Sequence, residues 1–145
     1  MERVLTAVRE QLRKGASQIK LTIGGGAASM YDPLYTLQFT PDEMRAAVDA
    51  AADYGTYVDT HVYTVPGIKR AIEAGVRSIE HGHLADESTV ALIGEKQIWL
   101  SMQPFAEDDH HYPDPDRAEK NRQICHGTED VYNWAKKHGV KVAFG

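Results

Sequence analysis

Apolar positions along the chain change period several times. Val4, Leu5, Val8 and Leu12 fall at helical spacing among Arg and Glu side chains, and Gly15 follows where a helix would end, so residues 2–14 are predicted to be a helix. Gln18-Ile19-Lys20-Leu21-Thr22-Ile23 alternates polar and apolar over a strand length and runs into Gly24-Gly25-Gly26, which stops it. Residues 27–39 show no period and carry Asp32-Pro33, so they read as a long loop of the kind that carries function. Thr40-Pro41-Asp42-Glu43 then supplies an N-cap, a proline at the first helical position and a glutamate three residues after the cap. A helix follows to about Tyr54, closed by Gly55.

The alternation repeats. Tyr57–His61 is predicted as a strand, 65–74 as a helix closed by Gly75, and Arg77–His81 as a strand. A helix over 86–96, capped by Asp86, leads to a strand at Ile98–Met102. A polar, proline-bearing loop runs from Gln103 to about Pro115, followed by a helical stretch to His138, Gly139 and a last strand at Val140–Phe144. Five strands separated by helices predict a parallel α/β sheet, because parallel neighbours need crossover connections of this length.

Composition narrows the class. The 145 residues suggest one domain, and 42% apolar with 26% charged residues is the balance of a chain that folds. No apolar run approaches the ~20 residues of a membrane helix, and the first residues lack the pattern of a secretory leader, so a cytoplasmic protein is expected. The single cysteine, Cys125, makes neither an internal disulfide nor a thiolate zinc cluster. A net charge of −5 offers no basic footprint for nucleic acid.

In parallel α/β folds the ligand site lies at the carboxyl ends of the strands. Those ends carry Lys20 ahead of the glycine loop, His61 in Thr60-His61-Val62-Tyr63, and His81 with His83 in Glu80-His81-Gly82-His83. Imidazoles suit zinc and its neighbours, and a catalytic zinc keeps one position open for water, whose pKa falls to about 7. Two histidines are too few for a stable site, and a cationic lysine would repel a divalent ion, so Lys20 alone reads as a strand lysine reaching solvent. Tyr63 could donate its hydroxyl to a substrate or pack under the rim; His83 could orient the site, contact substrate or be a loop residue. Glu80 precedes a histidine and by strand alternation points away from it, toward an ion pair among the outer helices. The run Glu107-Asp108-Asp109-His110-His111 reads as a solvated loop, and Cys125 as a buried structural residue beside His126. The glycine loop lacks the following helix start that phosphate binding needs, which leaves close backbone approach as its use.

Taken together, Gln18-Ile19-Lys20-Leu21 with its glycine loop, Thr60-His61-Val62-Tyr63-Thr64, Ile79-Glu80-His81-Gly82 and Val142-Ala143-Phe144-Gly145 resemble the later half of the amidohydrolase superfamily, in its prolidase-like and imidazolonepropionase-like branch. The resemblance covers nearly the whole chain. It implies a partial (β/α)8 TIM barrel, about strands four to eight with their helices, and a binuclear centre of divalent metal, usually two zinc ions. It also implies that Lys20, carboxylated on its side-chain nitrogen, bridges the metals, with His61 and His81 as the strand-five and strand-six ligands. The family also uses a His-x-His pair on strand one and an aspartate just after the position of Gly145, neither of which these residues contain. The expectation is therefore a portion of a longer catalytic barrel, truncated at both ends and inactive alone. The activity implied for the full-length protein is hydrolysis of a C–N bond in a small amide or dipeptide by a metal-bridging hydroxide. Homo-oligomers of that protein are allowed, and neither nucleic acid nor membrane is an expected partner.

Two rivals stand beside this reading. One is a complete five-stranded flavodoxin-like domain serving as a binding or signalling module; the other is a half-barrel whose exposed seam binds a partner.

Overall fold

The computed structural model describes residues 1–107 and 111–145. Its elements alternate: helix α1 (Glu2–Arg13), strand β1 (Ile19–Thr22), α2 (Pro41–Asp53), β2 (Val58–Thr64), α3 (Val65–Ala74), β3 (Ser78–Leu84), α4 (Glu87–Glu95), β4 (Trp99–Met102), α5 (Pro115–Lys137) and β5 (Lys141–Phe144). The five strands form one all-parallel sheet in the order β1-β2-β3-β4-β5. Each strand thus lies beside its sequence neighbours. A doubly wound flavodoxin-like domain would reverse its strand order at a switch point, so the strand order overturns that rival architecture.

Local chemistry explains the elements. The Thr40 side chain accepts from the Glu43 backbone N–H while the Glu43 carboxylate accepts from the Thr40 N–H, closing the capping box that starts α2. Asp86 and Asp114 cap α4 and α5 through the N–H groups of Thr89 and Arg117. Gly75 ends α3 at φ 95°, a left-handed conformation that costs glycine little.

Alternation along the strands sorts side chains between two faces. Ile19, Leu21, Val58, Val62, Ile79, Leu100 and Met102 pack with Val8, Met44, Ile68, Val90 and Ile93 of the helices into one buried core. Consecutive helices also touch one another along this face, which makes a single helical layer. Lys20, Asp59, His61, Tyr63, Ser78 and Glu80 face away from that core. A small second cluster, Leu34, Tyr63 and Ile124, with Phe105 against it, ties the β1–α2 segment to α5 above the strand ends.

Two strands are longer than their sequence pattern predicts. β2 continues to Thr64 and β3 to Leu84, so His83 is a strand residue, 1% exposed, and not part of a loop. Within β3, His81 and Gly82 take positive φ, 75° and 68°, and the β2–β3 register shifts between Val62 and Thr64. That irregularity breaks the alternation. His81 therefore turns toward the same side as Glu80, and Glu80 pairs with Lys20 at 3.0 Å and not with the outer helices. Cys125 is half-buried, less enclosed than expected. Of the acidic run, 108–110 lie outside the described residues; Glu107 makes an ion-pair contact with His126 at 2.5 Å. No helix among the described residues is long and apolar enough to cross a membrane.

Candidate metal and substrate site

β2 and β3 bring four aromatic side chains together at their carboxyl ends. The His61 and His81 rings stand edge to face with centroids 4.5 Å apart, and Tyr63 stacks on His81 at 4.8 Å with planes 18° apart. His83 lies one step further along, 6.3 Å from His81, and stacks on Phe105. Tyr63 is buried at 3% exposure, and burial raises its hydroxyl pKa.

The hydrogen bonds settle which nitrogen each imidazole keeps free. A carbonyl oxygen only accepts, so His61 donates from Nε2 to Gly25 O at 3.1 Å, leaving the Nδ1 lone pair. His81 donates from Nδ1 to Gln103 Oε1 at 2.8 Å, leaving Nε2. His83 donates from Nε2 to the Gln103 carbonyl at 2.8 Å, and its Nδ1 is buried without a partner among the described residues. Burial lowers the pKa of all three, to about 4 for His81, which holds the rings neutral near pH 7. A neutral ring anchored through one nitrogen by a carbonyl is the form in which histidine ligates metals.

Lys20, on β1, reaches across β2 to Glu80. Burial raises the Glu80 pKa, but the hydrogen bond and charge of Lys20 outweigh it and the net shift is downward. Asp59, between them, is 4% exposed, and among the described residues Oδ1 has no hydrogen-bond partner; burial, then the charge of Glu80, pushes its pKa up to about 6. Among the described residues no group of three or more His, Cys, Asp or Glu side chains is placed to hold a metal ion. The free imidazole nitrogens of His61 and His81 are of the donor type that could hold a divalent ion.

In front of them opens a pocket of about 290 Å³, lined by Gly26, Ala27, Ala28 and Ser29 on one side and by Phe105, Tyr112, Asn121 and Ile124 on the other, with His61, Tyr63 and His81 at its floor. His83 does not line it. A concavity of about 320 Å³ sits nearer the amino ends of the strands, around Asp59, Ser78 and Trp99, and contains none of the histidines. Gln103 was not singled out from the sequence, because a glutamine in a polar loop carries no motif. Its contacts to His81 and His83 appear only once β4 delivers it to the rim.

The same arrangement of chain recurs in known proteins. A sequence model of the amidohydrolase family matches residues 2–145. The chain belongs to the amidohydrolase family. Among curated amidohydrolase relatives, ochratoxinase of Aspergillus niger is 42% identical over 98 residues, 68% of this chain and 20% of that protein. A protein of Mycobacterium tuberculosis described as uncharacterized is 35% identical over 89 residues, 61% of this chain and 24% of its own length. The crystal structure of a prolidase complexed with N-methylphosphonate-L-proline superposes with a TM-score of 0.89 at 37% identity, covering 98% of this chain and 36% of that one. The A. niger ochratoxinase structure matches with a TM-score of 0.90 at 33% identity over 99% of this chain and 34% of its own. This amidohydrolase chain therefore spans about a fifth of the first curated relative and about a third of the solved structures.

Proposed function

We propose that the protein carrying this chain is a metal-dependent hydrolase of amide bonds in small substrates, N-acyl amino acids or dipeptides. In this reading the chain supplies about strands four to eight of a (β/α)8 barrel and is inactive without the rest. The observation that carries it is the pairing of His61 and His81, adjacent, neutral, and anchored through opposite nitrogens so that Nδ1 of one and Nε2 of the other remain for a metal.

His61 and His81 are the proposed imidazole ligands. Lys20, carboxylated, is the proposed bridging ligand between two zinc ions; carboxylation would turn a cation into an anion and release Glu80 from its ion pair. Further ligands and the proton-transferring aspartate would come from outside these residues. A divalent ion held there would supply a water-derived nucleophile at neutral pH and a Lewis acid for the scissile carbonyl. The chain's own residues hold the imidazoles in one orientation, and Tyr63 and the pocket walls receive the substrate and exclude water. The names of the relatives support amide chemistry, since one solved neighbour is a Xaa-Pro dipeptidase with methionine bound in its active site, 35% identical with a TM-score of 0.86.

Metal analysis of the purified full-length protein, with hydrolysis of N-acyl amino acids and Xaa-Pro dipeptides followed in parallel, tests this. Two bound metals, lost together with activity in the His61→Ala/His81→Ala variant, are expected; a metal-free active protein sinks the reading.

A further inference from the structure

The wall of the pocket formed by residues 26–29 has no side chain larger than serine, so the path of its backbone sets the width of the pocket. That path is held from a distance. Lys120, on α5, donates from Nζ to the carbonyl oxygens of Gly26 at 3.1 Å, Ser29 at 2.6 Å and Asp32 at 2.9 Å. A lysine ammonium has three donors and no acceptor, and here three carbonyls of one short segment converge on it.

The rest of the segment is folded around that point. Asp32 accepts from the Gly26 N–H through Oδ2 at 3.1 Å and from Gln38 Nε2 through Oδ1 at 2.8 Å. Gly25 runs so close to Pro33 that a Cβ would stand 2.0 Å from its carbonyl oxygen. Remove the Lys120 donors and three carbonyl dipoles face one another with no proton between them. The segment would then relax away from α5, and the pocket with it.

The lining as a whole says what the pocket takes. Ala27, Ala28, Phe105, Tyr112 and Ile124 give it apolar and aromatic sides, and among the described residues no Asp, Glu, Lys or Arg lines it.

We propose that Lys120 is a positioning residue for substrate selection: by binding three backbone carbonyls it fixes the 26–32 segment and so shapes a pocket for an uncharged, apolar group of the substrate. The role rests on the amide-hydrolase reading for the identity of the occupant, but not for the lock itself.

The test compares the full-length protein with its Lys120→Met variant, which keeps the stem and loses the donors. Amide hydrogen exchange over residues 24–38 reads the lock, and kinetics on N-acetyl-L-phenylalanine and N-acetylglycine read the pocket. Exchange in 26–32, read first at the Gly26 N–H that Asp32 accepts, is expected to quicken about 10- to 100-fold in the variant while exchange in β2 and β3 stays as in the wild type. The wild type is expected to prefer the phenylalanine compound by about tenfold or more in kcat/KM, and the variant to lose that preference through KM with kcat little changed. Unchanged exchange overturns the lock, and an unchanged preference, or none in an active wild type, overturns its role in selection. If Lys120→Met does not fold, Lys120→Gln is read the same way: faster exchange in 26–32 supports the lock and wild-type exchange overturns it. A wild type that cleaves neither compound, nor any other amide, removes the amide-hydrolase reading and the pocket's substrate with it, while exchange still decides the lock.

Discussion

His61 and His81 are held through opposite ring nitrogens, Nε2 by the Gly25 carbonyl and Nδ1 by the Gln103 side-chain amide, with their centroids 4.5 Å apart. The first anchor belongs to the backbone and no substitution removes it cleanly. The second is a side chain. Gln103→Ala should leave His81 free to rotate and to change tautomer, lowering metal affinity of the full-length protein about 10- to 100-fold. Competition with a chelator measures it, and wild-type affinity would take Gln103 out of the site.

Asp59 gives a pH dependence with a definite sign. Its folded-state pKa is raised from 3.8 to about 6, so the fold favours the protonated carboxyl and ionisation destabilises it. The penalty is absent below pH 3.8, grows through pH 6 and is complete above it. Asp59→Asn imitates the neutral form and should raise stability at pH 8 by up to about 3 kcal/mol, at 1.36 kcal/mol per pKa unit, with the gain vanishing toward pH 4. Denaturant titration at both pH values checks this, and equal stability at pH 8 would mean that the carboxylate is well solvated.

Gly127 lies inside α5, where a Cβ would stand 1.8 Å from the backbone carbonyl oxygen of His83. The helix cannot keep its distance from β3 and carry a methyl group there. Gly127→Ala should cost about 1–3 kcal/mol by overpacking and also shift His83 and Gln103. A lower denaturant midpoint is expected; an unchanged one would show that α5 can move away without loss.

Thr40→Ala removes the cap of α2 and should cost about 1 kcal/mol, with no effect on metal binding because α2 lies on the far side of the sheet from the imidazoles. Thermal unfolding and metal titration together separate the two effects.

The Thr40 cap was legible from four residues because capping is local chemistry. The five strands were legible for a similar reason: apolar alternation and glycine stops are written in short windows. His81 was not. Its positive φ places Glu80 and His81 on one side of a strand, and nothing local distinguishes that from ordinary alternation, so Glu80 read as facing outward. Gly127 was not singled out from the sequence either, because its need to stay small comes from β3 packed against it. Gln103 and Lys120 act on backbone and side chains brought to them by the tertiary fold, Lys120 on a segment 88 to 94 positions away, and no spacing rule anticipates such contacts.

The Lys20–Glu80 ion pair skips a strand. Neighbouring strands lie about 4.8 Å apart, so the backbones of β1 and β3 are about 10 Å from each other. Lys20 and Glu80 meet at 3.0 Å because both long side chains lean over β2, where Asp59 lies between them. The pair is thus a strap laid over the intervening strand: if Lys20 lets go, the Glu80 carboxylate is left beside Asp59 with no cation between them.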